Sequence, residues 1–515
     1  MPDPTPNPQP SNPNRGPLLG YAFTVFLSSA LLLVLEIVAG RLIAPYVGVS
    51  LYTWTSIIGT ILAGLSLGNW VGGIWADRGG DGRSVGLVLG LGGAFCILSL
   101  PLLTWLGVAV QEAGVGLLGA SFIYAAAMFF IPAALIGVVT PLLTTLALRL
   151  DPRAGHVVGR MHALAAMGSI AGTFVTGYWL VQTYGTRAVV LGTAVVLLLL
   201  AMPFLRANAR AVPALILIGT LSSGGLLWLR DGLTSPCDRE SSYFCIRVVD
   251  HSADAPFGEA RGLVLDHLLH GINHAEVPQM LIAPYVHAID ELVYAHFGPR
   301  YEAGLDYFFA GGGAYSQPRA VQAFSPDSRI TVAELDPMVT RTATESLFLD
   351  PAGMHIVHED ARLVLTRENG SFDVVIGDVF HDVAIPQHLV TREFARLVAT
   401  KLVEDGLYAM NVVDSFPDPR LIKAIVKTLH TEFAHVDVWM EGMPKASRVT
   451  YVLTASNGGR LPEIVPARWG FQRNWLRVTE KLMDVGPDVE SIPVLTDDYA
   501  PVERLIAALL VGADG

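Results

Sequence analysis

YFFAGGGAYSQPR at 307–319, with TVAELDP at 331–337 behind it, decides how this chain folds. An apolar run ends in three glycines, a helix-forming segment follows, and Glu334 closes the next apolar run roughly 20 residues on, the spacing of a βαβ nucleotide fingerprint. Gly311, Gly312 and Gly313 let backbone approach a ligand where a Cβ would clash, and Glu334 can accept hydrogen bonds from both hydroxyls of a ribose. The pattern points to an enzyme that binds a nucleotide.

Working outward, the rhythm continues through DYFFAGGG (306–313), RITVAELD (329–336), MHIVHED (354–360), FDVVIGDVF (372–380) and GLYAMNVV (406–413). Apolar runs closed by Gly, Asp or Glu, with helical segments between them, predict a parallel, doubly wound sheet. Its ligand belongs at the carboxyl edge of the strands, where Gly311 to Gly313, Glu334, Asp360 and Asp378 fall. A strand-end carboxylate can also cap the next helix, and that role is open for Glu334, Asp378 and Asp360 alike. Upstream, YFCIRVVD (243–250) and ARGLVLD (260–266) read as two antiparallel strands of a small N-terminal sheet.

Before residue 231 the composition is different. The chain has 515 residues, 52% hydrophobic and 16% charged, and a mean hydropathy of +0.46, too apolar for one water-soluble globule. Residues 1–16, rich in Pro and Asn, read as a disordered tail. A membrane domain is expected over 17–230, with apolar runs near 17–46, 51–76, 84–107, 113–149, 157–183, 186–206 and 211–230, each roughly long enough to span a bilayer at about 20 residues. The net charge of −12 and the lack of a basic stripe argue against a nucleic-acid partner. Gly64, Gly68 and Gly72, and again Gly168 and Gly172, recur every fourth residue and predict close helix packing. Glu36, Arg41, Asn69 and His162 are polar groups within the spans, either a structural set or a substrate path. GIWADRGGDGR at 73–83 resembles the loop between the second and third helices of major-facilitator transporters.

Arg15, Arg78, Arg83, Arg149, Arg153, Arg160, Arg206 and Arg210 fall on one side of a seven-span arrangement, with Arg187 and Arg230 opposite, which places the N-terminus in the cytoplasm. Seven spans then carry the C-terminal domain outside, and Cys237 and Cys245, flanking a short loop, suit a disulfide there. Two considerations oppose this: nucleotides are cytosolic metabolites, and Pro132 and Pro141 in the run 113–149 leave room for an extra or re-entrant span. The side of the membrane stays open, with the outward orientation favoured.

Residues from roughly 241 to 455 resemble the spermidine synthase family, and with the membrane half in front, its bacterial membrane-fused members. The resemblance implies a class I methyltransferase-like, Rossmann-like α/β domain over 241–515, behind a polytopic α-helical membrane domain in the cell inner membrane. It also implies transfer of an aminopropyl group from decarboxylated S-adenosylmethionine to putrescine, releasing methylthioadenosine. By position, Gly311 to Gly313 match the glycine loop, Glu334 the ribose ligand, Asp360 with Ala361 the pair that holds adenine, and Asp378 the base. LDHLLH at 265–270 keeps Asp266 of the family's LDGxxQ, with His267 and His270 replacing Gly and Gln, and by that match Asp266 and His270 are expected to bind the adenosyl donor. GDVFHD at 377–382 puts His381 where an acid is expected and Asp382 one place later, and both are expected in the catalytic set with Asp378. Where the family's glycine loop reads GGGDG, this chain has Ala314 and Tyr315, removing the carboxylate that grips the donor's amine. Intact S-adenosylmethionine therefore fits at least as well as its decarboxylated form.

The expected partners are a small-molecule amine or S-adenosylmethionine itself, the lipid bilayer, and a second copy of the chain as a homodimer. No metal is expected, since His267, His270 and His274 have no Cys or acidic partner at ligand spacing. The rival readings are cleavage within S-adenosylmethionine, methyl transfer, and a transporter or sensor with a regulatory nucleotide site. LTDDYAPVE at 495–503 resembles the ending of the membrane-fused members, and its Asp497, Asp498 and Tyr499 either close the active site or cap the last helix.

Overall fold

A computed structural model describes residues 15–113, 115–205, 211–229, 233–380, 384–442, 444 and 446–511. His381 and Asp382, the topology arginines Arg206, Arg210 and Arg230, and nearly all of the N-terminal tail lie outside the described residues. Two compact units emerge, and each is described by itself: one within 1–43, 52–113 and 120–235, the other within 44–51, 114–119 and 236–515.

The first unit is helical. Among the described residues, seven helices have the length and composition to cross a membrane: α1 (Arg15–Val47), α2 (Leu51–Asp77), α3 (Gly82–Gly107), α4 (Leu117–Leu150), α5 (Ala154–Tyr184), α6 (Thr186–Phe204) and α7 (Ala211–Leu229). The run expected to hide a further span is one continuous helix, α4, with Pro132 and Pro141 inside it. Small residues let these helices touch backbone to backbone. A Cβ at Gly68 of α2 would lie 2.1 Å from the Ala134 carbonyl oxygen of α4, and one at Gly168 of α5 would lie 2.0 Å from the Phe26 carbonyl oxygen of α1. Leu62, Phe174, Leu221 and Trp228 are exposed on the outside of these helices, the apolar surface that a lipid phase would cover.

The second unit begins with an antiparallel sheet in the order β1 (Arg239–Glu240), β2 (Cys245–Asp250), β3 (Ala260–Leu265), β4 (Leu268–His274). A disulfide joins Cys237 to Cys245. The main sheet holds β5 (Asp306–Ala310), β6 (Arg329–Ala333), β7 (Met354–Val357), β8 (Phe372–Gly377), β9 (Leu402–Ser415), β10 (His435–Met440), β11 (Arg448–Ser456), β12 (Ile464–Pro466) and β13 (Asn474–Arg477). Their spatial order is β12-β13-β10-β11-β9-β8-β5-β6-β7.

The neighbours from β9 to β7 pair in parallel, and β11 and β10 continue the sheet antiparallel. Tyr307, Phe308, Phe309 and Ala310 of β5 are all buried, as expected of a parallel strand covered on both faces. The covering helices include α8 (Pro284–Phe297), α9 (Ser316–Phe324), α10 (Pro337–Ser346), α11 (Ala361–Arg367), α12 (Arg392–Lys401) and α13 (Arg420–Leu429). This is the doubly wound, Rossmann-like sheet that the strand rhythm predicts, with the small N-terminal sheet beside it.

Candidate active site

Strand order reverses between β5 and β8, which opens a crevice beyond their carboxyl ends. A cavity of about 440 Å³ fills that place. Gly311 leaves β5 with φ 91°, and a Cβ there would stand 2.3 Å from the Asp378 carbonyl oxygen. Only glycine lets the ends of the two strands come so close.

The Gly312 and Gly313 N–H groups donate to Glu334 Oε2 at 2.8 and 3.3 Å, and the Asp336 N–H donates to Oε1 at 2.9 Å. Glu334 thus ties the glycine loop to the end of β6. Burial raises its pKa despite these donors, and with two acceptor sites per oxygen, Oε1 keeps capacity for a ligand hydroxyl.

Asp378 follows β8, its own N–H donating to the Ala310 carbonyl at 2.9 Å. On the cavity wall its carboxylate meets the Tyr285 hydroxyl, 3.3 Å from Oδ2, and also hydrogen-bonds the Asn411 side chain. Burial pushes its pKa up to about 6, against the pull of both hydrogen bonds and with help from the Glu334 charge. Tyr285, on the first turn of α8, also lies 3.1 Å from the His270 carbonyl oxygen.

Asp360 is the N-cap of α11: its Oδ1 accepts from the Arg362 and Leu363 N–H groups at 3.0 and 3.2 Å. Its Oδ2 is 2.7 Å from His388 Nε2, and Asp360, Ala361 and His388 all line the cavity. Cap and cavity wall therefore coexist in one carboxylate. His270 lines the same cavity, and burial, reinforced by the positive field of His267 and Arg448, lowers its pKa to about 4.

Asp266 departs from expectation. It sits at φ 53° in the tight turn between β3 and β4, buried, with Oδ1 accepting from the Cys245 N–H at 2.9 Å. It holds the small sheet together and does not line the cavity. Ala314 and Tyr315 also turn away from the cavity: the Ala314 carbonyl accepts from Asn273 Nδ2 at 2.7 Å, and the buried Tyr315 hydroxyl lies 2.6 Å from Thr340 Oγ1. His274 is a core histidine, its Nε2 2.7 Å from the Phe257 carbonyl oxygen. Sequence reasoning missed Tyr243, Phe244, Tyr285 and His388 as wall residues or partners of the carboxylates. Pro284 does mark the start of α8, but nothing local says that the next side chain reaches Asp378.

The pattern of the spermine/spermidine synthase domain matches residues 308–461. The polyamine aminopropyltransferase of Vibrio vulnificus is 31% identical over 227 residues, which cover 41% of this chain and 71% of that protein. The chain belongs to the spermine/spermidine synthase family. A probable polyamine aminopropyl transferase of Bifidobacterium longum is 26% identical over 212 residues, 38% of this chain and 47% of that protein. The crystal structure of a probable spermidine synthase from Corynebacterium glutamicum aligns at 23% identity and a TM-score of 0.43, covering 51% of this chain and 99% of that one. As a family member this is an aminopropyltransferase-like enzyme. The matched span runs from β5 past β11, behind all seven apolar helices.

Proposed function

We propose that the second unit binds an adenosyl sulfonium donor in the β5–β8 crevice and transfers its aminopropyl-type group to an amine, releasing methylthioadenosine. One observation carries the reading: the glycine loop, Glu334, Asp360 and an Asp378 raised to about 6 converge on one cavity. Glu334 takes the ribose, Asp360 with Ala361 the adenine, and His270, neutral at pH 7, sits beside the reacting end. The amine nitrogen attacks the methylene carbon next to sulfur. A carbon–nitrogen bond forms, the carbon–sulfur bond breaks with its electron pair passing to sulfur, and Asp378 takes the proton the amine must lose. Because the leaving thioether is neutral, most of the catalysis is alignment of nitrogen, carbon and sulfur.

No side-chain carboxylate arises from the glycine loop at Ala314, so the donor's own amine loses a charge-assisted contact that is worth about 1.5–3 kcal/mol. This supports intact S-adenosylmethionine as an alternative donor, cleaved with or without an acceptor. Sidedness is proposed on three supports: the disulfide, seven helices of sufficient length, and the arginine distribution. Together they favour a cytoplasmic N-terminus with the second unit outside the cytoplasm.

Mass spectrometry of the purified full chain, incubated with either donor with and without putrescine, tests the chemistry. Methylthioadenosine that requires the decarboxylated donor and putrescine is the expected product. Methylthioadenosine from the intact donor without an acceptor would mean internal displacement, and S-adenosylhomocysteine would mean methyl transfer. Binding without any product would leave a sensor.

A further inference from the structure

Asp497, in the tail stretch 495–503, neither lines the cavity nor caps the short helix Val502–Leu505, which has no side-chain cap. It holds Arg362 instead. Arg362 NH1 donates to Asp497 Oδ1 and NH2 to Oδ2, each at 2.7 Å. The Thr391 hydroxyl donates to Oδ1 at 2.7 Å, and the Asp497 N–H donates to Glu393 Oε2 at 3.0 Å. A bidentate arginine–carboxylate pair fixes direction as well as distance.

Arg362 stands two positions beyond Asp360 on the first turn of α11, and its NH1 also donates to the His388 carbonyl oxygen at 3.0 Å. His388 Nε2 closes the ring on Asp360 Oδ2 at 2.7 Å. Two members of this ring, Asp360 and His388, line the cavity, while Arg362 and Asp497 do not. Farther along the same tail, Val502 and Glu503 line it as well. The Arg362 hydrogen bond lowers the Asp497 pKa to about 2, so the clamp stays charged at ordinary pH.

We propose that Asp497 is a positioning residue: through Arg362 it fixes the Asp360–His388 edge of the cavity, and so sets selectivity for the base of the bound nucleoside. The inference rests on the adenosyl-donor reading above. A carboxylate held at that edge accepts from the 6-amino group of adenine and repels the 6-oxo group of hypoxanthine.

The test is calorimetric binding of 5′-methylthioadenosine and 5′-methylthioinosine to the full chain in detergent, with melting temperatures recorded alongside. The wild type prefers the adenine nucleoside. Asp497→Ala is expected to cut that preference by about tenfold or more while the melting temperature stays near that of the wild type, the loss of one charge-assisted partner being of that order. Arg362→Lys keeps the charge without the planar fork, is expected to move the preference the same way, and decides the matter alone if Asp497→Ala does not fold. An unchanged preference in both variants, an equal weakening of both nucleosides, or no preference in the wild type overturns the inference. A wild type that binds neither nucleoside brings down the adenosyl reading itself, an outcome distinct from the others.

Discussion

Asp378 is a carboxylate whose charged form burial disfavours. Its pKa near 6 belongs to the unliganded site and comes mainly from burial. In the proposed role of base Asp378 must be ionised, so kcat/KM is expected to fall as pH drops through about 6, as measured in a pH–rate profile. A bound sulfonium favours the charged form, so the acid limb of kcat should lie lower. Asp378→Asn is expected to reduce kcat by about 10² to 10⁴, the usual range for a general base, with methylthioadenosine binding nearly intact by calorimetry. Loss of binding together with turnover would make Asp378 a binding group. At this scale the sequence was legible where a residue closes a strand, as with Glu334, Asp360 and Asp378. It misled at Asp266, where a positive φ and a backbone hydrogen bond to Cys245 use the carboxylate for folding. It was silent on Tyr285 and His388, which approach the carboxylates through tertiary packing alone.

Elements were legible wherever one face dictated a period. Five parallel strands, the β2–β3 pair and the seven apolar helices all follow from the periodicity and length of apolar runs, and the glycine repeats predict close packing, which falls on the α2–α4 and α1–α5 contacts that the sequence did not name. Gly168→Leu drives a side chain into the Phe26 carbonyl and is expected to destabilise the helical unit by about 1–3 kcal/mol, the usual cost of overpacking, read as a lower melting temperature in detergent. The antiparallel extension was not read: β12 and β13, three and four residues long, are too short to show a period, and β10 and β11, six and nine residues long, were passed over although long enough to show one. Arg468, between those strands, reaches Asp290 Oδ2 at 2.9 Å and Glu291 Oε2 at 2.6 Å on α8 and lies over the Tyr294 ring at 3.7 Å from its centroid. Both carboxylates are buried, so Arg468→Ala strands two charges and is expected to cost about 3–5 kcal/mol. Denaturant unfolding followed by tryptophan fluorescence checks this, and a loss below about 1 kcal/mol would mean that the pair is solvated.

At the scale of the whole molecule, a half with helices long and apolar enough to cross a membrane was legible from composition and run length, and an α/β half from the strand rhythm, whereas the proposed sidedness rests on counting spans and locating a disulfide. The continuous α4 keeps the number of long apolar helices among the described residues odd. A membrane-impermeant thiol reagent, applied to intact cells after reduction, is therefore expected to label the half-buried Cys237, Cys245 being buried. Labelling only after lysis would place the second unit in the cytoplasm. The buried Cys96 of α3 is the one free cysteine among the described residues, which keeps the readout simple. The disulfide between Cys237 and Cys245, the latter on β2, also bears on how the protein is handled. The Cys245 backbone is the hydrogen-bond partner of Asp266, and the β3–β4 turn that Asp266 forms leads within a few residues to His270 on the cavity wall. A purification buffer containing dithiothreitol, or production in a reducing cytosol, would cut the one covalent tie in this part of the chain. Two laboratories could then report different activities for the same polypeptide, and the redox state of the preparation belongs beside every rate that is measured.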